Sequence, residues 1–108
     1  MKLKGSSMDE VLSLLGLAYK AKKIVLGEEI FNRINNVKLV FIASDISPKS
    51  LERYDKKCYY YNITHIDKYD SEELSKALGK NNVKTIGIID EGFKNSILKK
   101  IEKEGYHG

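Results

Sequence analysis

The stretch that most limits this chain is "KLVFIAS", Lys38 to Ser44. Leu39 to Ala43 are five apolar residues in a row, so neither a strand nor a helix made from them would have a polar side. Five residues are too few for a buried helix and suit a strand covered on both faces. Such a strand needs a layer of structure on each side. Soon after it come Ser47 and Pro48, a hydroxyl cap followed by a proline at the first helical position, where no amide donor is needed. A covered strand running into a helix is one unit of an alternating α/β fold.

The rest of the chain repeats that unit. Ser7 and Glu10 have capping-box spacing, and Met8, Val11, Leu12, Leu15 and Ala18 follow at helical spacing. Lys20, Lys22 and Lys23 close that helix, where cations suit its dipole. "KIVLG" reads as a short strand ending at Gly27, followed by a helix from about Glu28 to Asn35 with Ile30, Phe31 and Ile34 inward. Leu51, Tyr54 and Cys58 form the apolar stripe of the helix that Ser47 caps. "ITHIDKY" reads as a third strand and "VKTIGII" as a fourth. Between them, Asp70 and Glu73 have capping-box spacing ahead of Leu74, Ala77 and Leu78, and Gly79 ends that helix. Asp90 caps a last helix with Phe93, Ile97 and Ile101 inward. The order α-β-α-β-α-β-α-β-α predicts a three-layer α/β/α sandwich around a four-stranded mixed sheet. One domain over 8–104 is expected, behind a polar lead at 1–7, and Met8 is an alternative start.

With 108 residues and 42% hydrophobic content, one core without disulfides or metal is sufficient. No apolar run exceeds five residues and no signal peptide opens the chain, so the expected location is the cytoplasm, with no membrane association. The single cysteine excludes an intrachain disulfide and a Cys-rich zinc site, and His65 and His107 lie far apart, so no metal is expected. The net charge of +4 favours anionic partners, though a lysine-rich surface gives the same charge with no partner.

No catalytic constellation emerges, and no cofactor is expected. Gly87 and Gly92 do not make a dinucleotide fingerprint, and no P-loop signature occurs. Cys58 and His65 would be a nucleophile and base only if Cys58 left its apolar stripe, where a small buried hydrophobe is the usual reading. The carboxylate pairs Asp9/Glu10, Glu28/Glu29 and Glu72/Glu73 each fall in a first helical turn, where negative charge is stabilised by up to ~1 kcal/mol. Neighbours on a helix diverge by about 100°, so none is a facing acid/base couple. Tyr59, Tyr60 and Tyr61 end a helix, and packing there is expected over a base-stacking platform. The basic cluster Lys20, Lys22 and Lys23 is one anion candidate, and the loop Lys80, Asn81 and Asn82 is another. If both lie at one end of the sheet, they join in a single surface.

Together these segments resemble the ribosomal-protein family of kink-turn RNA binders, the L-seven-Ae and L-thirty-e group, and within it the small bacterial YlxQ-type members. The resemblance runs from about Met8 to Ile101. It rests on "LLGLAYKAKK" (14–23), "GEEIFNR" (27–33), "LVFIASDISP" (39–48), "CYYYNI" (58–63), "ELSKALGK" (73–80) and "TIGIIDEGF" (85–93), in that order and spacing.

The resemblance implies a non-catalytic protein binding structured RNA, kink-turn-like or ribosomal, with association with the ribosome. It implies that Gly27 and the helix behind it meet a kinked RNA duplex, that Arg33 contacts phosphate, that Ser44 and Asp45 lie in a second loop, and that Lys80 to Asn82 lie in a third. Lys22, Lys23, Glu28 and Glu29 complete the expected RNA-contacting set. The family's G-x-N-E run has Glu29 and Ile30 at its last two positions here. An ionised glutamate accepts hydrogen bonds but donates none, and isoleucine does neither. That difference, with apolar Val25 and Leu26 before the glycine, motivates an alternative. On it, the fold serves as a protein-interaction module without kink-turn specificity, marked by an exposed apolar patch at Val25, Leu26 and Ile30.

Overall fold

A computed structural model describes residues 9–103. The apolar run at its centre forms strand β2 (Leu39–Ile42), buried at all four positions. Around it lie α1 (Glu10–Lys20), β1 (Ile24–Leu26), α2 (Glu29–Asn32), a 3-10 turn at Ile34–Asn36, α3 (Pro48–Tyr61), β3 (Thr64–Ile66), α4 (Ser71–Leu78), β4 (Thr85–Ile88) and α5 (Glu91–Lys103). The strands form one mixed sheet in the order β1-β4-β2-β3. The β1/β4 and β4/β2 pairs are antiparallel and the β2/β3 pair is parallel.

Strand side chains alternate between faces, and each face has its own core. Leu39 and Phe41 of β2, with Ile86 and Ile88 of β4, pack under α1, α4 and α5 against Leu15, Leu74 and Ile97. Val40, Ile42 and Val25 face the other way, onto Ile30 of α2 and Tyr54 and Cys58 of α3. This is the expected three-layer α/β/α arrangement. A one-residue slip of β2 would exchange the two faces, each already filled by side chains whose burial contributes about 1.5–3 kcal/mol apiece.

The helix boundaries show which local signals operate. Ser7 lies outside the described residues, and Asp9 is the N-cap of α1, its carboxylate accepting from the Val11 amide at 2.7 Å. Ser47 caps α3 with Pro48 at its first position. Asp70 and Glu73 make both halves of their capping box, and Asp90 accepts from the Phe93 amide. Helices α1, α3 and α4 end in the same way, with a residue in left-handed conformation (Lys22, Asn62 and Gly79) and the next amide bonded five residues back.

The segment after Gly27 departs from expectation. A single helix to Asn35 is not formed. Instead α2 covers only Glu29–Asn32, Arg33 leaves helical geometry, and a 3-10 turn follows. Glu28 stands at the N-cap without a side-chain capping bond. The short helix crosses the sheet over Gly87, and a Cβ there would lie 3.0 Å from both Ile30 Cγ1 and Val25 Cγ2.

The strand directions divide the loops between two ends of the sheet. One end gathers the loops after β1, β2 and β3 and the loop before β4, because Leu26 pairs with Ile86 and Ile42 with Thr85. The other end gathers the loops before β1, β2 and β3 and the loop after β4. There the Lys38 amide donates to the Ile88 carbonyl and the Ile89 amide to the Lys23 carbonyl.

Candidate nucleic-acid interface

At the first end, three loops enclose a groove of about 500 Å³. Leu26, Gly27 and Glu28 form one wall. Ile46, Ser47, Ser50, Arg53 and Tyr54, from the β2–α3 loop and the start of α3, form the second. Lys80 to Thr85 form the third. Gly27 has φ +54°, the left-handed conformation that glycine adopts without cost, and a Cβ there would meet nothing within 4 Å. Its backbone is thus open to a ligand. Gly79 and Asn82 turn the third loop through the same conformation, and the Val83 amide fixes that loop by donating to Ser75 Oγ at 2.9 Å.

The groove wall is tied together by its side chains. Arg53 holds Glu28 with two parallel bonds, Nη1 to Oε2 at 3.0 Å and Nη2 to Oε1 at 3.2 Å. The Arg53 guanidinium lies 4.6 Å from the centre of the Phe31 ring, which stacks on Tyr54 at 4.7 Å. Thr85 Oγ1 donates to the Tyr54 hydroxyl at 3.1 Å. The hydrogen bond from Arg53 lowers the Glu28 pKa, and burial raises that of Tyr54. At neutral pH the clamp is therefore an ion pair and the tyrosine is neutral. Glu28 acts as the tether between α2 and α3 and not as a helix cap.

The expected site residues separate on this frame. Gly27, Glu28, Lys80 and Asn81 come together in the groove, with Asn82. Ser44 and Asp45 lie in the adjacent loop, and Asp45 is already engaged. It accepts from the Ser71 amide at 2.8 Å and from Ser71 Oγ at 2.7 Å, which holds its pKa below the usual carboxylate range. Glu29 is exposed and bonded to Asn32, and Arg33 is exposed at the end of α2; neither lines the groove. Lys22 and Lys23 do not join Lys80, because they precede β1 and so lie at the opposite end of the sheet. Lys23 is 4.0 Å from Asp90 there. Strand direction separates what sequence proximity to Gly27 had put together.

Ile30 is 1% exposed and Val25 7% exposed, so the expected apolar surface patch is not formed; both belong to the core under α2. Cys58 is buried too, and burial pushes its thiol up to about 11, which keeps it protonated at neutral pH and a poor nucleophile. His65 is bound to Asp55, Nε2 to Oδ1 at 3.3 Å.

Several groove residues were missed from the sequence, among them Ser50, Arg53, Tyr54, Lys84 and Thr85. Arg53 carried one readable signal. It is one of two arginines in a lysine-rich chain, and arginine is the residue suited to bidentate carboxylate contacts. Nothing local marks Lys84 or Thr85, which reach the groove only through the β4 pairing.

Residues 9–98 match the sequence profile of the ribosomal protein L7Ae/L30e/S12e/Gadd45 family. The chain belongs to this family. Among its L7Ae-type relatives, the RNA-binding protein YlxQ of Enterococcus faecium is 31% identical over 96 residues, covering 86% of this chain and 92% of that protein. The RNA-binding protein YlxQ of Bacillus subtilis is 30% identical, covering 86% and 96%. A protein with unknown function from Bacillus halodurans C superposes with a TM-score of 0.82 at 30% identity, over 88% of this chain and 99% of its own. The Giardia lamblia 15.5kD RNA binding protein superposes with a TM-score of 0.73 at 18% identity, over 90% and 89%, and so shares the L7Ae-type fold.

Proposed function

We propose that this chain binds RNA without catalysing a reaction, and that the groove at Gly27 is where the RNA docks. The observation carrying this reading is the convergence of three loops on one groove, lined both by an open left-handed glycine backbone and by Lys80. An unobstructed backbone lets a nucleic-acid strand approach closely, and Lys80 and Lys84 supply cations for phosphate. The two YlxQ relatives, RNA-binding proteins by name, support RNA as the ligand class. On this reading the RNA is structured, of kink-turn or ribosomal type, and is met in the cytoplasm. No helix among the described residues is long and apolar enough to cross a membrane.

The alternative, a protein-interaction module, rested on an apolar patch at Val25, Leu26 and Ile30. Burial of Val25 and Ile30 removes its motive. The test is a titration of a kink-turn RNA and a straight duplex of equal length at two salt concentrations. Tighter binding of the kinked RNA, with affinity falling steeply as salt rises, is the expected result. A salt slope near zero on both would overturn RNA binding. Equal weak binding of both would reduce the groove to a generic basic surface.

A further inference from the structure

The end of α3 does not pack as its sequence suggests. Tyr59 is 90% exposed and Tyr60 79% exposed, and Tyr61 also reaches solvent. Tyr60 and Tyr61 meet edge to face at 5.0 Å, which fixes their rings relative to each other without burying them. An exposed aromatic cluster is costly to keep in water and marks a surface that something covers. Helix α3 has 14 residues, about 20 Å of rise, so this cluster lies far from the Ser47 end that lines the groove.

Two further observations indicate what covers it. First, Tyr59 lines a second cavity, of about 510 Å³, together with Asp55, Asn62, Thr64 and His65. Carboxylate, amide, hydroxyl and imidazole groups beside an aromatic ring suit a flat heterocycle that both stacks and hydrogen-bonds. Second, lysines lie at the same end of the fold as the rings. Lys57 Nζ lies 6.0 Å from the Tyr61 ring centre. Lys38 comes up at the same end, one residue before the Leu39–Thr64 pair. Neither lysine has a carboxylate within ion-pair distance among the described residues. Of the nearby acids, Glu52 pairs with Lys56 at 3.5 Å, and Asp55 Oδ1 lies 3.3 Å from His65 Nε2.

We infer that the Tyr59–Tyr61 cluster and its adjoining cavity form a second contact for RNA, one that takes unpaired nucleotides by stacking. Rings exposed beside free lysines are the arrangement that holds single strands without reading their sequence. The inference rests on the chain being an RNA binder but uses a surface remote from the groove, so the two can fail separately.

The experiment uses the full chain, a single-stranded oligouridine, and a kink-turn stem with or without that single strand as a tail. The chain has seven tyrosines and no tryptophan, so stacking on the α3 end is read as the part of the tyrosine quench that disappears when those rings are replaced. The oligouridine should quench tyrosine emission, and the tail should tighten stem binding about 10-fold. Replacing the two most exposed rings (Tyr59→Ala, Tyr60→Ala) should abolish the oligouridine quench and the tail's gain while leaving the blunt stem bound as before. The Tyr59→Phe, Tyr60→Phe variant should keep the tail's gain, because stacking needs the ring and not the hydroxyl. The inference is overturned if the tail adds nothing, if its gain survives the alanine pair, or if the phenylalanine pair loses it. Loss of blunt-stem binding in Lys80→Ala, with oligouridine binding intact, would support separate surfaces. Failure of the wild-type chain to bind the blunt stem, with the quench retained, would count against the groove alone.

Discussion

Lys22 holds a left-handed backbone, φ 62°, at the end of α1, where Asn62 and Gly79 serve the ends of α3 and α4. A side chain in that conformation costs about 1–2 kcal/mol, while glycine brings a larger entropy loss of about 0.5–1 kcal/mol. Lys22→Gly should therefore stabilise the protein by about 0.5–1 kcal/mol, read as a rise in the urea midpoint at unchanged slope. Gly87 is the opposite case. Its absent side chain lets Ile30 and Val25 close over β4, and both neighbours are β-branched and stiff. Gly87→Val should destabilise by about 1–3 kcal/mol through overpacking, seen as a lower urea midpoint. The sequence placed Gly87 in the fourth strand and in a failed nucleotide motif, without a reason for a glycine there. That its hydrogen makes room for α2 depends on a neighbour nearly sixty positions away.

The elements are joined by carboxylates that the sequence presented as ordinary. Asp45 links the β2–α3 loop to the first residue of α4, and Glu28 links α2 to α3. Both have lowered pKa values in the folded state, Asp45 chiefly through its hydrogen bond from Ser71. A depressed carboxylate pKa adds stability above the unfolded pKa, and this is lost as pH falls through the folded value. The thermal midpoint of the wild type should thus exceed that of Asp45→Asn at pH 6–7, with the gap closing below about pH 4. A gap that stayed constant into acid would mean the Asp45 carboxylate charge contributes nothing. The shortness of α2 was not legible either. Ile30, Phe31 and Ile34 keep helical spacing in sequence, but contact with β4 and α3 fixes Ile30 and Phe31 before Arg33 breaks the helix.

For the whole molecule, strand direction decides which charges can act together. Lys80 and Lys84 share the groove, whereas Lys22 and Lys23 stand at the far end of the sheet. If RNA docks in the groove, Lys80→Ala and Lys84→Ala should each reduce the slope of log K against log salt by about 0.7–0.9. Lys23→Ala should leave the slope of a blunt structured RNA unchanged. A reversed order in filter-binding titrations over a salt series would move the interface to the other end. The tyrosines belong to this scale too. As a sequence they are a helix end with apolar rings to bury. In the fold, α3 turns Tyr54 and Cys58 to the sheet and leaves Tyr59 and Tyr60 to solvent.

The sequence by itself determined the layers and most boundaries. The apolar run Leu39–Ala43 required cover on two faces, and Ser47, Asp70, Gly79 and Asp90 punctuate helices through bonds made within a few residues. Those are local energies, so they can be read locally. The family resemblance also implied that Gly27 and Lys80 would share a surface, and both line the groove. Only the tertiary structure decided that Glu28 clamps Arg53, that Ile30 is core and not surface, and that Lys22 and Lys23 face away from Lys80. Each of these depends on which strand lies beside which, and in which direction it runs. The pairing of β1 with β4 and β4 with β2 sets that geometry through hydrogen bonds between residues more than forty positions apart.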